Sequence, residues 1–116
     1  MIGLLLGLDV GTTNIKAGLF DADGRLLKVA SRPTITQYTD DGLPHYDPEW
    51  MWETAAAVLG EAAAEAGGAV RCLGITSMAE AGLVIDLDTG RARSHVIPWF
   101  DKRSLPQLER LKAQED

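Results

Sequence analysis

Gly7-Leu8-Asp9-Val10-Gly11-Thr12-Thr13-Asn14-Ile15-Lys16 is the stretch on which the fold turns. Before it, Ile2 to Leu8 is apolar on both strand faces. A strand that reads this way is central and covered on both sides. After it, Ile15 to Phe20 reads as a second strand. Between them lie a carboxylate, a glycine and two hydroxyls, which make a tight turn and not a helix start. The spacing does not match G-x-G-x-x-G, and no Gly-Lys-Ser/Thr follows, so a Rossmann loop and a P-loop are both set aside. The same residues suit a phosphate. Gly11 lets the backbone approach a ligand, and successive N–H groups in a tight turn cradle an anion. Thr12 and Thr13 add hydroxyls, and Lys16 is within reach as a point charge. Asp9, ending a central strand, suits Mg²⁺ held through water, because hard cations prefer carboxylate and water oxygens. From these residues alone, an ordinary hairpin with a polar tip remains an equal reading.

Outward from the turn, Asp21-Ala22-Asp23-Gly24 is a hairpin loop and Leu26 to Ser31 a third strand. The three strands form an antiparallel meander. Pro33 to Tyr46 is polar and irregular. Asp47 and Pro48 then open a helix, with Glu49 in its first turn. Trp52, Ala55, Leu59, Ala62 and Ala66 recur at helical spacing, Met51 and Val58 widen the stripe, and Gly67-Gly68 ends it. Val70 to Thr76 is a fourth strand, and the helix before it makes a right-handed crossover onto the same sheet, parallel. Gly82 to Asp86 reads as a fifth strand and His95 to Trp99 as a short sixth. Ser104 to Ala113 reads as a helix capped by Ser104, with Leu105, Leu108 and Leu111 inward.

The chain's 116 residues suffice for one modest core. Seventeen acids against eleven bases give a formal charge of −6. That excludes a general nucleic-acid binder, which needs a basic surface, but leaves room for a local phosphate site. The single Cys72 excludes an intrachain disulfide and a multi-cysteine metal site. Ile2 to Leu8 is far shorter than the ~20 residues of a spanning helix and lacks the basic leader of a secretion signal. The expectation is a cytoplasmic protein with no membrane partner. His45, His95 and Cys72 read as structural or surface residues.

A second constellation lies beyond the fourth strand. Gly74-Ile75-Thr76-Ser77-Met78-Ala79-Glu80-Ala81-Gly82 runs from a strand into a loop of small residues, with Glu80 a lone acid there. Open parallel sheets bind ligands beyond their strand C-termini. Pro98-Trp99-Phe100-Asp101-Lys102-Arg103 sets an indole beside a carboxylate and a guanidinium. A flat apolar ring next to hydrogen-bonding groups suits a sugar face. Core packing for Trp99 and a local ion pair for Asp101 and Arg103 stand beside that reading.

Three stretches, in order, resemble the N-terminal part of the FGGY family of carbohydrate kinases. They are Leu8 to Lys16, Asp47-Pro48-Glu49-Trp50-Met51-Trp52, and Gly74 to Ser77 with Trp99 to Arg103. The resemblance implies a mixed α/β sheet of the ribonuclease H-like, actin-like ATPase kind, with an antiparallel meander and a crossover helix to a parallel strand. It implies that residues 1–116 are the N-terminal part of the first kinase domain, with the remainder of that domain and all of the second lying outside them. It implies ATP and Mg²⁺ as cofactors, and transfer of a phosphoryl group to a sugar, polyol or sugar-acid hydroxyl. Asp9 takes the metal side, and Gly11, Thr12, Thr13, Asn14 and Lys16 the nucleotide phosphates. Ala79, Glu80, Trp99, Asp101 and Arg103 take the substrate side, and the general base lies beyond residue 116. The pair Ala79-Glu80 departs from the Arg-Glu of glycerol kinases and the Met-His of xylulose kinases, so the resemblance names no one acceptor. A partial domain with an uncovered sheet is expected to be inactive alone and to self-associate. The competing readings are a piece of an actin-like ATPase and a non-catalytic binding module.

Overall fold

The computed structural model describes residues 3–114. They divide into two compact units, residues 3–35 with 48–79, and residues 36–47 with 80–114.

The first unit holds a four-stranded sheet and one helix. Strands β1 (Leu4–Val10), β2 (Asn14–Phe20) and β3 (Leu26–Pro33) form the antiparallel meander expected from the sequence. Strands β4 (Gln37–Tyr38) and β5 (Pro44–His45) come next in the chain and belong to the second unit. Helix α1 (Pro48–Ala63) leads through a turn to β6 (Val70–Ser77), which lies parallel to β1. The sheet order is β3-β2-β1-β6, so β1 is central as its apolar run requires.

Strand alternation sorts the side chains. Leu8, Ile15, Ala17 and Ala30 meet Ala55, Val58 and Ala62 of α1 in one buried cluster. Small residues at the helix contact let it lie close to the sheet, and Ile15 is fully buried. Lys28 and Arg32 of β3 reach Glu65 at 3.1 Å and Glu61 at 2.7 Å on the same side. The opposite face carries Asp9, Lys16 and Thr76 in one register row across β1, β2 and β6. The next row is Gly7, Gly18 and Gly74. The Phe20 ring lies against that glycine row: a Cβ on Gly18 would stand 2.9 Å from it.

In the second unit, β4 and β5 pair as a two-stranded hairpin that the polar composition of residues 33–46 concealed. The Thr39 hydroxyl donates to Asp41 and accepts from the Leu43 N–H, while Gly42 turns the chain at φ 84°. The expected fifth and sixth strands are not strands. Residues 82–99 are held by isolated antiparallel bridges, Gly82 to Ile97, Ile85 to Ala92 and Tyr46 to Val96. The Ser94 hydroxyl takes the Val84 N–H that a longer ladder would use.

Two expectations about packing fail. Trp52 stands on the outer side of α1, 72% exposed, because the buried stripe runs through Thr54, Ala55, Val58 and Ala62. Helix α2 (Leu105–Lys112) forms where expected, yet Leu105, Leu108 and Leu111 are exposed. Ser104 precedes it with no side-chain capping bond, since its backbone is already helical at φ −87°, ψ −4°.

Candidate functional site

The turn from β1 to β2 is built to keep its shape. The Gly11 N–H donates to the Asn14 carbonyl at 2.9 Å. The Thr34 hydroxyl donates to the Gly11 carbonyl at 2.7 Å, and the Thr34 N–H to the Thr13 carbonyl at 2.9 Å. From the other side, the Met78 N–H donates to the Val10 carbonyl at 2.9 Å. The chain just past β3 and the end of β6 therefore brace it on two flanks. Gly11 allows no side chain: a Cβ there would lie 2.8 Å from the Asn14 carbonyl oxygen and 3.6 Å from Asp9 Oδ2.

These contacts shape a pocket of about 210 Å³ lined by Asp9, Gly11, Thr12, Thr13, Asn14 and Lys16. Every turn residue singled out in the sequence shares it. Asp9 and Lys16 are cross-strand partners, one acid and one base on the same face. Among the described residues neither forms an ion pair, so both charges stay available to a ligand. A cup that offers backbone, hydroxyl and ammonium groups beside a lone carboxylate fits a phosphate with a cation next to it. Among the described residues no cluster of three or more His, Cys, Asp or Glu could hold a metal by itself. Asp9 is the one carboxylate among the residues that line the pocket.

Thr34, which bonds the turn backbone, and Thr76, which stands in register with Asp9, were not singled out from sequence. Thr76 is placed beside Asp9 by the parallel pairing of β1 and β6; the expected crossover carried that signal. Thr34 sits in a polar stretch whose sequence gives no sign of its partner.

The second constellation lies in the other unit, apart from Ala79, which closes the first. Glu80 is the one non-glycine residue with positive φ among the described residues, at 54°. A left-handed backbone at a non-glycine residue stores strain of about 1–3 kcal/mol, and such residues cluster at functional sites. Glu80 precedes Gly82, and Trp99 follows Ile97, so both flank the same two-way bridge, with N···O distances of 3.2 and 2.9 Å. Trp99 is 58% exposed and offers its ring. Asp101 is buried and pairs with Arg103 at 2.8 Å.

Comparison with known proteins decides the family. The model of the "FGGY family of carbohydrate kinases, N-terminal domain" matches residues 4–116. The chain belongs to the FGGY carbohydrate kinase family. A glycerol kinase from Citrifermentans bemidjiense is 38% identical over 113 residues, covering 95% of this chain and 23% of its own. The solved xylulose kinase of Rhodospirillum rubrum superposes with a TM-score of 0.83 at 32% identity, over 96% of this chain and 23% of that one. The gluconate kinase of Lactobacillus acidophilus shares the fold at a TM-score of 0.89 and 19% identity, over 98% and 23%. This FGGY chain thus spans about 23% of the length of the curated relatives it matches. The mixed sheet, its meander and the parallel crossover are those of the FGGY kinase fold. No helix among the described residues is long and apolar enough to cross a membrane.

Proposed function

We propose that this chain is the phosphate-binding and acceptor-binding portion of an ATP-dependent kinase that phosphorylates a hydroxyl of a sugar, polyol or sugar acid. The observation that carries the reading is the pocket at the β1–β2 turn, where Gly11, Thr12, Thr13, Asn14 and Lys16 face Asp9. Phosphoryl transfer depends on positioning and on neutralising charge, and this pocket offers groups for both. Gly11 and Asn14 shape the backbone cradle, and the Thr12 and Thr13 hydroxyls donate to phosphate oxygens. Lys16 balances their charge. Asp9 would hold Mg²⁺, and the ion would neutralise charge on the phosphates of ATP.

The acceptor side is Ala79, Glu80 and the turn that carries Trp99, Asp101 and Arg103. Glu80 accepts hydrogen bonds from acceptor hydroxyls, and the Trp99 ring takes the apolar face of the carbon chain. Ala79 contributes room and no donor, so the acceptor is not assigned to one sugar. The proton of the attacking hydroxyl leaves to a carboxylate outside residues 1–116. The names of the relatives support the reaction class: glycerol kinases, a xylulose kinase and a gluconate kinase.

A coupled ADP-release assay on the complete protein, with a panel of polyols, ketoses and sugar acids, tests the reading. Acceptor-dependent release, abolished by removing Mg²⁺, is the expected result. ADP release that no acceptor stimulates would overturn it in favour of a simple ATPase.

A further inference from the structure

We propose that Asp101 and Arg103 are positioning residues for Trp99 and do not touch the acceptor. This rests on the reading of Trp99 as the surface against which the acceptor lies.

The Asp101 side chain is 5% exposed. Its Oδ2 accepts twice from Arg103, from the backbone N–H at 3.1 Å and from Nε at 2.8 Å. The far end of the guanidinium, Nη2, donates to the Pro44 carbonyl in β5 at 3.1 Å. Two of the guanidinium's five N–H groups are therefore committed to protein acceptors, which holds the Arg103 side chain at both ends. An arginine fork can span two acceptors in fixed geometry, which a lysine cannot.

Trp99 lies at the other end of the same turn. The Asp101 N–H donates to the Pro98 carbonyl at 3.1 Å and closes the chain around it. The Trp99 ring meets Phe100 edge-on, with centroids 5.5 Å apart, and Phe100 meets Tyr46 edge-on at 6.5 Å. Tyr46 follows β5 directly and is fully buried. The turn thus returns to one hairpin by two routes, polar through Arg103 to Pro44 and aromatic through Phe100 to Tyr46. An exposed indole has no core of its own to fix it, and these two routes set its orientation.

Asp101 Oδ1 is buried with no hydrogen-bond partner, so the carboxylate makes its contacts through Oδ2. In Asp101→Asn, the amide oxygen placed at the Oδ2 position keeps both bonds without their charge assistance, and the amide NH₂ takes the buried Oδ1 position. Arg103→Gln removes the reach to Pro44.

The test is a double-mutant cycle in the complete protein, joined to a ligand-free signal. If Arg103 acts through Trp99, Arg103→Gln raises the acceptor KM about tenfold, the scale of one lost charge-assisted bond. It leaves the ATP KM unchanged and adds little to the loss already caused by Trp99→Ala. Arg103→Lys does not rescue. Asp101→Asn falls between wild type and Arg103→Gln, and serves as the probe if Arg103→Gln does not fold. The same variants are labelled with 5-fluorotryptophan, the Trp99 resonance being assigned by its loss in Trp99→Phe. One sharp line in the wild type and a broadened or split line in the variants is expected. Additive KM losses with Trp99→Ala, or an unchanged Trp99 line, would overturn the proposal and make these residues direct contacts or bystanders. If no acceptor is ever phosphorylated, the kinase reading fails, while the fluorine line still decides whether the clasp fixes Trp99.

Discussion

Gly11 concentrates the argument at the scale of the residue. A methyl group there meets the Asn14 carbonyl oxygen at 2.8 Å, and that oxygen cannot retreat because it accepts the Gly11 N–H. Gly11→Ala should therefore cost about 1–3 kcal/mol of stability, the usual scale of overpacking, measurable by urea denaturation. Asp9→Asn removes the one carboxylate of the pocket and should raise the Mg²⁺ concentration needed for half-maximal activity several-fold. A Mg²⁺ titration of the assay checks this. Glu80 makes the opposite trade. Its φ of 54° suits glycine, so Glu80→Gly should stabilise the protein by about 1 kcal/mol while weakening acceptor binding. A melt and an acceptor KM measured together would show both effects. The β1–β2 turn was legible in the sequence because its residues are local: carboxylate, glycine and two hydroxyls fall within five positions. Thr34 and Thr76 were not, because one meets the turn through a side-chain hydrogen bond from past the end of β3 and the other only through the parallel pairing of β1 and β6.

Elements built on periodicity were read correctly, and those lacking it were not. The meander and the parallel strand follow from apolar runs with turn residues between them. Helix α1 starts at Pro48 as read but ends at Ala63, short of the Ala66 that the sequence put in it, and the sequence also put Trp52 in its buried stripe. A wide indole would hold the helix away from a sheet that presents Leu8, Ile15 and Ala17, so the alanines face inward and Trp52 faces out. Ile15→Ala should accordingly cost about 2–5 kcal/mol. Trp52→Ala should stay within about 0.5 kcal/mol, both read by chemical denaturation. The exposed pairs Lys28–Glu65 and Arg32–Glu61 are each worth at most about 1 kcal/mol. Residues 82–99 read as two strands because Val84, Ile85, Val96 and Ile97 are β-formers. The Ser94 hydroxyl takes the Val84 N–H instead, and the pairing is left as single bridges.

The whole molecule brings pH into the account through Tyr46. Burial raises its phenol above the usual tyrosine value, because a phenolate loses water there. The folded state then holds its proton more tightly than the unfolded state. That contribution is complete below the unfolded tyrosine pKa and is lost as pH rises through the raised folded value. Stability should fall in the alkaline range above about pH 10, and Tyr46→Phe should flatten that fall in a pH series of urea melts. In the proposed function the β1–β2 turn takes nucleotide phosphate, and Glu80 and Trp99 take the acceptor. Steady-state kinetics of two variants of the complete protein test this most directly. Gly11→Ala should raise the KM for ATP by about tenfold or more, the scale of one lost phosphate contact, and leave the acceptor KM in place. Glu80→Gln should do the reverse. Equal losses for both substrates in both variants, or the opposite assignment, would contradict the account.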